Sequence, residues 1–361
     1  MEKRVAIVGA GLSGLLACKY TASKGFNPIV FEAQDEVGGL WNKTIETTRL
    51  QSSKDYFQFS DFPWPSSVED MFPHNTKVLE YLQSYAQYFE LLNYIEFNSK
   101  VISIEYVGQS LEEMQSWEMW GGAGKAFGSK GKWNLKEYAA EFVVLCIGRF
   151  SGLADIPEFL PGCGPDVFPG KVLHSMDYAA LDNASAAQLI KGKKIAVIGS
   201  GKSAVDIAFE CAIANGNDYP CTVIQRTIHW MLPDSQPWGR RAMSKFVESY
   251  LRWKLPLKKY DLIPKERFVQ EASSCQILFL PAQNFFDKVE DGSIVFRKSK
   301  QFSFCKEGLI LDGEDNNPLK ADIVIFATGY KGDEKLKNIF ACPTFQNCIA
   351  GSPTSTIPLY R

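Results

Sequence analysis

Apolar runs and amphipathic stretches alternate at the start of the chain. Residues 5–8 are all apolar and predict a buried strand, and residues 13–24 follow a helical pattern that stops before Gly25. Residues 29–32 predict a second buried strand. A strand, a helix and a strand in this order predict the beginning of a parallel sheet whose faces are covered by helices.

The same order of elements begins again about 190 residues later. Residues 193–198 predict a strand, residues 202–214 a helix, and residues 222–225 the next strand. Further predicted elements are a helix over 75–89, strands over 141–147, 293–297, 309–311 and 322–327, short helices and loops over 230–259, and two strands around a Gly- and Lys-rich connector in 118–136. The pattern predicts an α/β protein with two strand–helix–strand units.

The composition argues against several classes of partner and site. With 39 basic and 41 acidic residues, the net charge is −2, so the chain lacks the basic field that nucleic-acid binding requires. The nine cysteines show no C-x-x-C spacing, which argues against a zinc site and favours reduced thiols in a cytoplasmic protein. The three histidines offer little material for a metal centre, and no apolar run reaches the roughly 18 residues of a membrane span.

Glycines at fixed spacing stand between the first strand and its helix. Gly9, Gly11 and Gly14 fit G-x-G-x-x-G, in which the glycines allow a tight turn, a close approach of the backbone to a pyrophosphate, and helix-on-strand packing. Glu32 lies 18 positions after Gly14, close to the roughly 20 expected for an acid that binds a ribose. The predicted dinucleotide site comprises Gly9, Ala10, Gly11, Leu12, Ser13, Gly14 and Glu32.

The second unit carries the G-x-G-x-x-A variant of this motif at Gly199, Gly201 and Ala204. Its second strand is followed by Arg226 rather than by an acid, and an arginine there can bind a 2′-phosphate, which favours NADPH over NADH. The alternative is an ordinary surface arginine. The predicted NADPH-binding residues are Gly199, Ser200, Gly201, Lys202, Ser203, Ala204 and Arg226.

The stretch between the two units carries the most specific motif. Residues 168–178 read F-x-G-x-x-x-H-x-x-x-Y, which resembles the fingerprint of flavin-containing monooxygenases, and in particular their plant branch. Further matches to that family are Gly38-Gly39-x-Trp41, Asp61-Phe62-Pro63, Cys146-Ile147-Gly148 followed by Pro157 and Pro161, and Phe326-Ala327-Thr328-Gly329-Tyr330. The resemblance covers essentially the whole chain.

The resemblance implies two Rossmann-like domains, with an NADPH domain inserted into an FAD domain. It predicts an FAD domain over 1–165, an NADPH domain over 166–319, and an incomplete return to the FAD domain over 320–361. It also adds Gly39, Leu40, Trp41, Thr328 and Gly329 to the cofactor-binding residues. Relatives continue well past the stretch that ends at Arg361, so a gene-model fragment, a splice form and a natural truncation are all consistent with this end.

The family's chemistry, as the resemblance implies it, uses NADPH to reduce FAD. The reduced flavin then captures dioxygen as a C4a-hydroperoxide, which oxygenates a soft nucleophile, an amine nitrogen or a sulfide, as in N,N-dimethylaniline monooxygenase activity. The family usually has an asparagine near the flavin, and Gln51 stands at that place in residues 50–55. Gln51 is therefore the candidate catalytic residue, and the alternative is that it lines the cleft without catalytic effect.

Other interpretations remain open for parts of the chain. His174 and Tyr178 of the fingerprint are expected to have structural roles, because no acid or nucleophile pairs with His174 in the motif. A Baeyer–Villiger oxygenase is the enzyme alternative, although its fingerprint normally ends in tryptophan where Tyr178 stands. The alternative from another class is a truncated, non-catalytic or NADPH-oxidase-like protein that binds FAD and NADP. The residues identify neither the substrate nor the oligomeric state.

Overall fold

The computed structural model describes residues 3–107, 132–135, 138–150, 152–232, 244–274, 276–314, 317–343 and 345–346. The predicted Gly- and Lys-rich connector, residues 121–132, lies outside these ranges except for Lys132, and so do residues 118–120 and 136 of the strands predicted around it. The chain divides into two compact units. The first comprises residues 1–42, 78–153 and 330–361, and the second comprises residues 43–77 and 154–329.

The elements are numbered in chain order. The helices of the described residues are α1 Leu12–Ser23, α2 Lys54–Phe57, α3 Asn75–Tyr88, α4 Ser175–Ala179, α5 Asn183–Ile190, α6 Lys202–Asn215, α7 Ser244–Lys254, α8 Phe268–Ser273, α9 Phe285–Glu290 and α10 Gly332–Asn338, with 3-10 turns at Gly39–Asn42, Leu91–Tyr94 and Pro165–Val167. The strands are β1 Arg4–Val8, β2 Asn27–Phe31, β3 Ile95–Glu96, β4 Glu105–Val107, β5 Lys132–Leu135, β6 Tyr138–Ala140, β7 Phe142–Leu145, β8 Lys171–His174, β9 Ile195–Ile198, β10 Cys221–Gln225, β11 Met231–Leu232, β12 Leu278–Phe279, β13 Ile294–Lys298, β14 Phe302–Cys305, β15 Gly308–Leu311, β16 Leu319–Lys320 and β17 Ile323–Phe326.

The first unit is built on a four-stranded parallel sheet in the order β3-β2-β1-β7. β1 lies inside the sheet and its residues Val5 to Val8 are all buried, which is why they read as an unbroken apolar run. A three-stranded antiparallel sheet of β4, β5 and β6 accompanies it. The loop after β1 therefore emerges at the carboxyl edge of the sheet, between the ends of β2 and β7, where ligands of α/β proteins bind.

The second unit has a five-stranded parallel sheet in the order β13-β10-β9-β17-β8. β9 lies between β10 and β17, as β1 lies between β2 and β7, and all four of its residues are buried. α6 packs on this sheet with eight buried residues along its length. The fold class predicted from the sequence is confirmed: two Rossmann-like units, the second inserted into the first.

The boundaries of the units differ from the predicted domain boundaries. The sequence predicts that residues 43–77 are part of the first domain, whereas in the structure they belong to the second unit. The reason is physical: Ile45 packs into the core of the second unit, and Thr47 and Thr48 form hydrogen bonds with side chains of α6. The second unit also begins earlier and ends later than predicted, since residues 154–165 and 320–329 fold with it.

Most predicted elements are present with ends shifted by one or two residues. The helix predicted over 75–89 is α3, and the strand predicted over 222–225 is β10. β8 had not been predicted, because Lys171–His174 is a short edge strand with polar ends. No helix of the described residues is both long and apolar enough to cross a membrane.

Candidate functional site: two dinucleotide loops

The first glycine of the first loop is required by the strand beside it. Gly9 follows β1 with a φ of +101°, and its N–H donates to the carbonyl of Phe31 at 2.8 Å. A Cβ at Gly9 would lie 2.6 Å from the carbonyl oxygen of Cys146, which follows β7. Both the backbone conformation and this contact exclude a side chain, so protein packing alone accounts for Gly9.

Gly14 and Gly11 differ in what their surroundings require. A Cβ at Gly14 would lie 1.8 Å from the carbonyl oxygen of Gly9, so a glycine is needed for α1 to pack on the loop. At Gly11 the nearest atom to a Cβ would be the Cα of Gly39 at 3.5 Å, an ordinary contact, and a φ of −75° suits any residue. Packing within the protein does not require glycine at position 11, whereas a closely approaching ligand would.

The beginning of α1 suits an anion. No side chain caps the helix at Gly11. The N–H groups of the first helical turn have no acceptor within the helix, and they carry the positive end of the helix dipole. Leu12 and Ser13 form this turn, and Ser13 is exposed. The loop is thus compatible with a pyrophosphate.

Glu32 ties the end of β2 to this loop. It is buried, with Oε2 accepting the N–H of Ala10 at 2.6 Å and Oε1 accepting the N–H of Gln34 at 2.9 Å. The carbonyl of Ala10 accepts the N–H of Gly38 at 3.2 Å. Each carboxylate oxygen can accept a further hydrogen bond, so Glu32 fixes the loop and retains acceptor capacity for a hydroxyl group.

The 3-10 turn Gly39–Asn42 lies beside the same loop. A Cβ at Gly39, which has a φ of +59°, would come within 3.0 Å of the Cα of Gly11. Leu40 is exposed and Trp41 is half-buried. The structure therefore places the turn that contains Gly39, Leu40 and Trp41 next to the first glycine loop.

The second loop repeats this geometry. Gly199 follows β9 with a φ of +149°, and its N–H donates to the carbonyl of Ile224 at 2.9 Å. A Cβ at Gly199 would lie 2.2 Å from the carbonyl oxygen of Ala327, which follows β17. At Gly201, before the uncapped start of α6, no described atom lies within 4 Å of a Cβ position. Ala204 takes the third position, and its side chain is fully buried.

The two cations near the second loop differ in their surroundings. Arg226 follows β10, its side chain is exposed, and no hydrogen bond or ion pair joins it to another described residue. Lys202 instead forms an ion pair with Asp206, and its side chain is only 12% exposed. Ser200 and Ser203 are half-buried. Of the two cations, Arg226 is the one whose charge is available to a ligand.

His174 of the fingerprint has a structural role. The ring Nδ1 of His174 accepts the backbone N–H of Met176 at 3.1 Å, and the backbone N–H of His174 donates to Asp177 Oδ2 at 3.0 Å. His174 therefore caps the start of α4. The residue is buried, and burial lowers the pKa of its ring, while Asp177 and the backbone of Gly329 act in the opposite direction. A neutral ring used as a helix cap agrees with the structural interpretation of His174.

Tyr178, the last fingerprint residue, is buried and donates its hydroxyl to Glu210 Oε2 at 2.7 Å. Burial raises the pKa values of both groups, and the hydrogen bond from Tyr178 partly opposes this for Glu210. The tyrosine is therefore more than packing, because it supplies a donor to a carboxylate that would otherwise be poorly solvated.

The remaining predicted residues are Gln51, Thr328 and Gly329, and none of their hydrogen bonds within the described residues is to a glycine loop. Gln51 is exposed and belongs to the second unit, where no described residue forms a hydrogen bond with it. Thr328 hydrogen-bonds to the carbonyl of Asp155, and the carbonyl of Gly329 accepts the N–H of Asp155 at 3.0 Å. Thr328 and Gly329, which follow β17, are thus hydrogen-bonded to Asp155, near the start of the second stretch of the second unit.

No cluster of three or more His, Cys, Asp or Glu side chains suited to a metal ion occurs in the part of the chain that the structure describes. The arrangement is that of two glycine loops at uncapped helix starts, one flanked by a carboxylate and one by a guanidinium that has no partner among the described residues. Residues 2–361 match the family described as flavin-binding monooxygenase-like.

The chain belongs to this family. Among relatives of the flavin-binding monooxygenase-like chain, the probable flavin-containing monooxygenase 1 of Arabidopsis thaliana is 40% identical over all of the chain and 76% of the relative. The putative flavin-containing monooxygenase 2 of the same plant is 42% identical over all of the chain and 78% of the relative. The family uses FAD and NADPH, so this chain is an FAD- and NADPH-dependent oxidoreductase.

Solved structures show the same fold. The open crystal structure of cyclohexanone monooxygenase is 17% identical, with a TM-score of 0.68, and the match covers 94% of this chain and 75% of that one. OTEMO in complex with FAD and NADP is also 17% identical, with a TM-score of 0.68, covering 93% of this chain and 73% of that one. At this identity the likeness concerns the fold alone.

Sequence reasoning missed several residues of the flavin-binding monooxygenase-like chain. Lys335 donates to the carbonyl of Ile147 at 2.5 Å, and burial lowers its pKa while Glu32 acts in the opposite direction. No motif marks this lysine. Asp206 and Glu210 were also missed. Together with Lys202 they place a charged residue at every fourth position of a predicted helix, and this spacing could have indicated that they interact.

We predict that the free energy of unfolding of the His174→Asn variant falls less as the pH is lowered than that of the wild-type protein. The pKa of buried His174 is lowered in the folded protein, so its contribution to stability is present above the unfolded value of 6.5 and is lost as pH falls through the folded value. The loss is about 1.4 kcal/mol for each pH unit in which only the unfolded chain binds this proton. Asparagine can still cap α4.

The measurement is the free energy of unfolding of both proteins from pH 7.5 to 5. The wild-type curve should fall more steeply below pH 6.5 than the curve of the variant. Parallel curves over that range would show that His174 does not titrate differently in the folded and unfolded states.

Proposed function

We propose that the chain is a monooxygenase that binds FAD at the Gly9–Gly14 loop and NADPH at the Gly199–Ala204 loop, and that transfers one oxygen atom of dioxygen to a soft nucleophile. The proposed substrate class is an amine nitrogen, as in the N-oxide-forming dimethylaniline monooxygenases among its relatives, or a sulfide sulfur. A cytoplasmic location stays a prediction from the cysteine pattern.

One observation carries this proposal. The chain contains two glycine loops with the same geometry, and in each loop the second glycine faces enough room for a side chain that the protein does not supply. A glycine without a packing reason is what close approach of a pyrophosphate requires. Two such loops in one chain fit two dinucleotides, one as electron donor and one as electron acceptor.

The flanking side chains distinguish the two cofactors. Glu32 stands at the end of the strand after the first loop, where a carboxylate can accept from ribose hydroxyl groups of FAD. Arg226 stands at the equivalent place after the second loop, where a guanidinium can bind the 2′-phosphate of NADPH. When bound, the reduced flavin supplies the activated oxygen, while the protein binds, orients and excludes water.

The assay that tests the function uses FAD-loaded protein, NADPH, oxygen and a panel of amines and sulfides, including pipecolic acid. We expect NADPH consumption to yield an N- or S-oxygenated product, identified by mass spectrometry, for at least one substrate. If hydrogen peroxide is the sole product with every compound, or if NADPH is not consumed, the chain is an NADPH oxidase or a non-catalytic binding protein instead.

The two open glycines should separate the two cofactors. Gly11→Ala should keep the fold and weaken FAD binding, and Gly201→Ala should keep FAD bound and weaken NADPH binding. The added methyl group makes at most an ordinary contact with the protein, whereas it would meet the bound cofactor. A clash of about 1–3 kcal/mol corresponds to roughly 5- to 150-fold weaker binding.

The matched control is Gly14→Ala, whose methyl group would meet the carbonyl of Gly9 and should lower the free energy of unfolding itself. FAD content, NADP⁺ affinity and thermal unfolding are measured for all three variants. Wild-type affinity for both cofactors in the Gly11 and Gly201 variants would contradict the assignment of the loops.

Arg226→Ala should weaken NADPH use while hardly changing NADH use. A charge-assisted hydrogen bond contributes about 1.5–3 kcal/mol, so the ratio of kcat/KM for the two coenzymes should shift roughly 10- to 150-fold. Lys193→Ala removes the same charge at the opposite end of the sheet and should leave the ratio unchanged. Equal losses with NADPH and NADH would show that Arg226 does not bind the 2′-phosphate.

A further inference from the structure

Two carboxylates of α6 hold the segment that precedes the candidate catalytic residue. Asp206 is fully buried, and its Oδ2 accepts the hydroxyl of Thr48 at 2.7 Å. One turn further along the helix, Glu210 Oε1 accepts the N–H of Thr47 at 3.0 Å and the hydroxyl of Thr47 at 3.2 Å. Two consecutive threonines are therefore bonded to two consecutive turns of one helix.

Each carboxylate also has a second partner on its other oxygen. Asp206 Oδ1 forms an ion pair with Lys202, which lies in the first turn of α6 directly after the second glycine loop. Glu210 Oε2 accepts the hydroxyl of Tyr178. Each of the four carboxylate oxygens thus has at least one partner, and such pairing is the condition under which carboxylates removed from water are tolerated.

The threonine pair is also fixed on its other side. The carbonyl of Thr48 accepts the N–H of Asn75 at 3.1 Å, and the N–H of Leu50 donates to the carbonyl of Pro73 at 2.9 Å. Leu50 is buried and Gln51, the next residue, is exposed. Hydrogen bonds therefore fix the backbone before Gln51, while the side chain of Gln51 itself is exposed to solvent.

Packing alone does not require this arrangement. Apolar side chains would hold the segment without the cost of removing two carboxylates from water. Hydrogen bonds to charged acceptors differ from apolar contacts in being directional, so they fix the position of the threonines along the helix as well as their attachment to it. A directional attachment indicates that the position of the segment matters.

We propose that Asp206 and Glu210 are positioning residues that set the place of Gln51 relative to the second glycine loop, with Tyr178 fixing the Glu210 carboxylate. The proposal rests on the proposed function, in which the coenzyme binds at the start of α6. Through Lys202, Asp206 and Thr48, the helix turn next to that loop is connected by side chains to the segment of Gln51. The fingerprint tyrosine thereby acquires a role in the site.

The test compares Thr48→Val with Thr48→Ser in FAD-loaded protein. Valine keeps the shape and removes the donor to Asp206, whereas serine keeps the donor. Amide hydrogen exchange of residues 44–52 should be roughly ten-fold faster or more in the valine variant and unchanged in the serine variant. The ratio of oxygenated product to NADPH consumed should fall with valine only, at unchanged KM for NADPH.

A second variant reports on the other carboxylate. Tyr178→Phe removes the donor to Glu210 Oε2, and we expect faster exchange at the amide of Thr47, which Glu210 accepts directly. Wild-type exchange and wild-type product yield in both Thr48→Val and Tyr178→Phe would overturn the proposal. So would equal effects of valine and serine at position 48, because those would reflect packing.

These outcomes separate the two proposals. If the wild-type protein gives no oxygenated product with any substrate, the proposed function fails, while the exchange rates still decide whether the two carboxylates hold the segment. If product forms and its yield does not depend on Thr48 or Tyr178, the monooxygenase function stands and the positioning role is refuted.

Discussion

The contact between a glycine and the carbonyl of a neighbouring strand is the constraint on which both units depend. Gly9 meets the carbonyl of Cys146, and Gly199 meets the carbonyl of Ala327, each at a distance that leaves no room for a side chain. The chain leaves its strand at this turn, so the following helix begins at the carboxyl edge of its sheet, between two strand ends. In both units the uncapped helix start, the open second glycine and a strand-end side chain lie at the sheet edge where this turn occurs.

The two units share one loop geometry but have different polar neighbours, and the proposed function assigns them different ligands on that ground. Glu32 is held against its own loop by backbone N–H groups, which suits a cofactor that stays bound. Arg226 has no partner among the described residues and is exposed, which suits a coenzyme that arrives and leaves with each turnover. A carboxylate in place of Arg226 would repel a 2′-phosphate, so the sign of one charge separates the two sites.

The local sequence pattern was sufficient to predict the two glycine loops. It did not indicate that residues 43–77 belong to the second unit. β1 and β9 are apolar over every residue and are followed by glycines, so their character is written in adjacent positions. The place of residues 43–77 is decided by bonds from Thr47 and Thr48 to side chains more than 150 positions away. Such pairings leave no periodic trace, and in the sequence Thr47 and Thr48 look like any loop residues. Asp206 and Glu210 carried a weak signal, because acids at helical spacing within an apolar helix need partners.

The same network bears on Gln51, which stands where the family resemblance leads us to expect an asparagine. A glutamine amide stands one methylene further from its backbone and loses more rotamer freedom when it is held in one place. The backbone before it is fixed at Thr47, Thr48 and Leu50, by two carboxylates and a paired loop. Because the backbone is already fixed, placing the Gln51 amide restricts only the rotamers of its side chain. A residue that reaches further therefore depends more on its attachment. In this chain the attachment combines the hydrogen bonds from Thr47 and Thr48 to Glu210 and Asp206 with the apolar packing of Ile45 and Leu50.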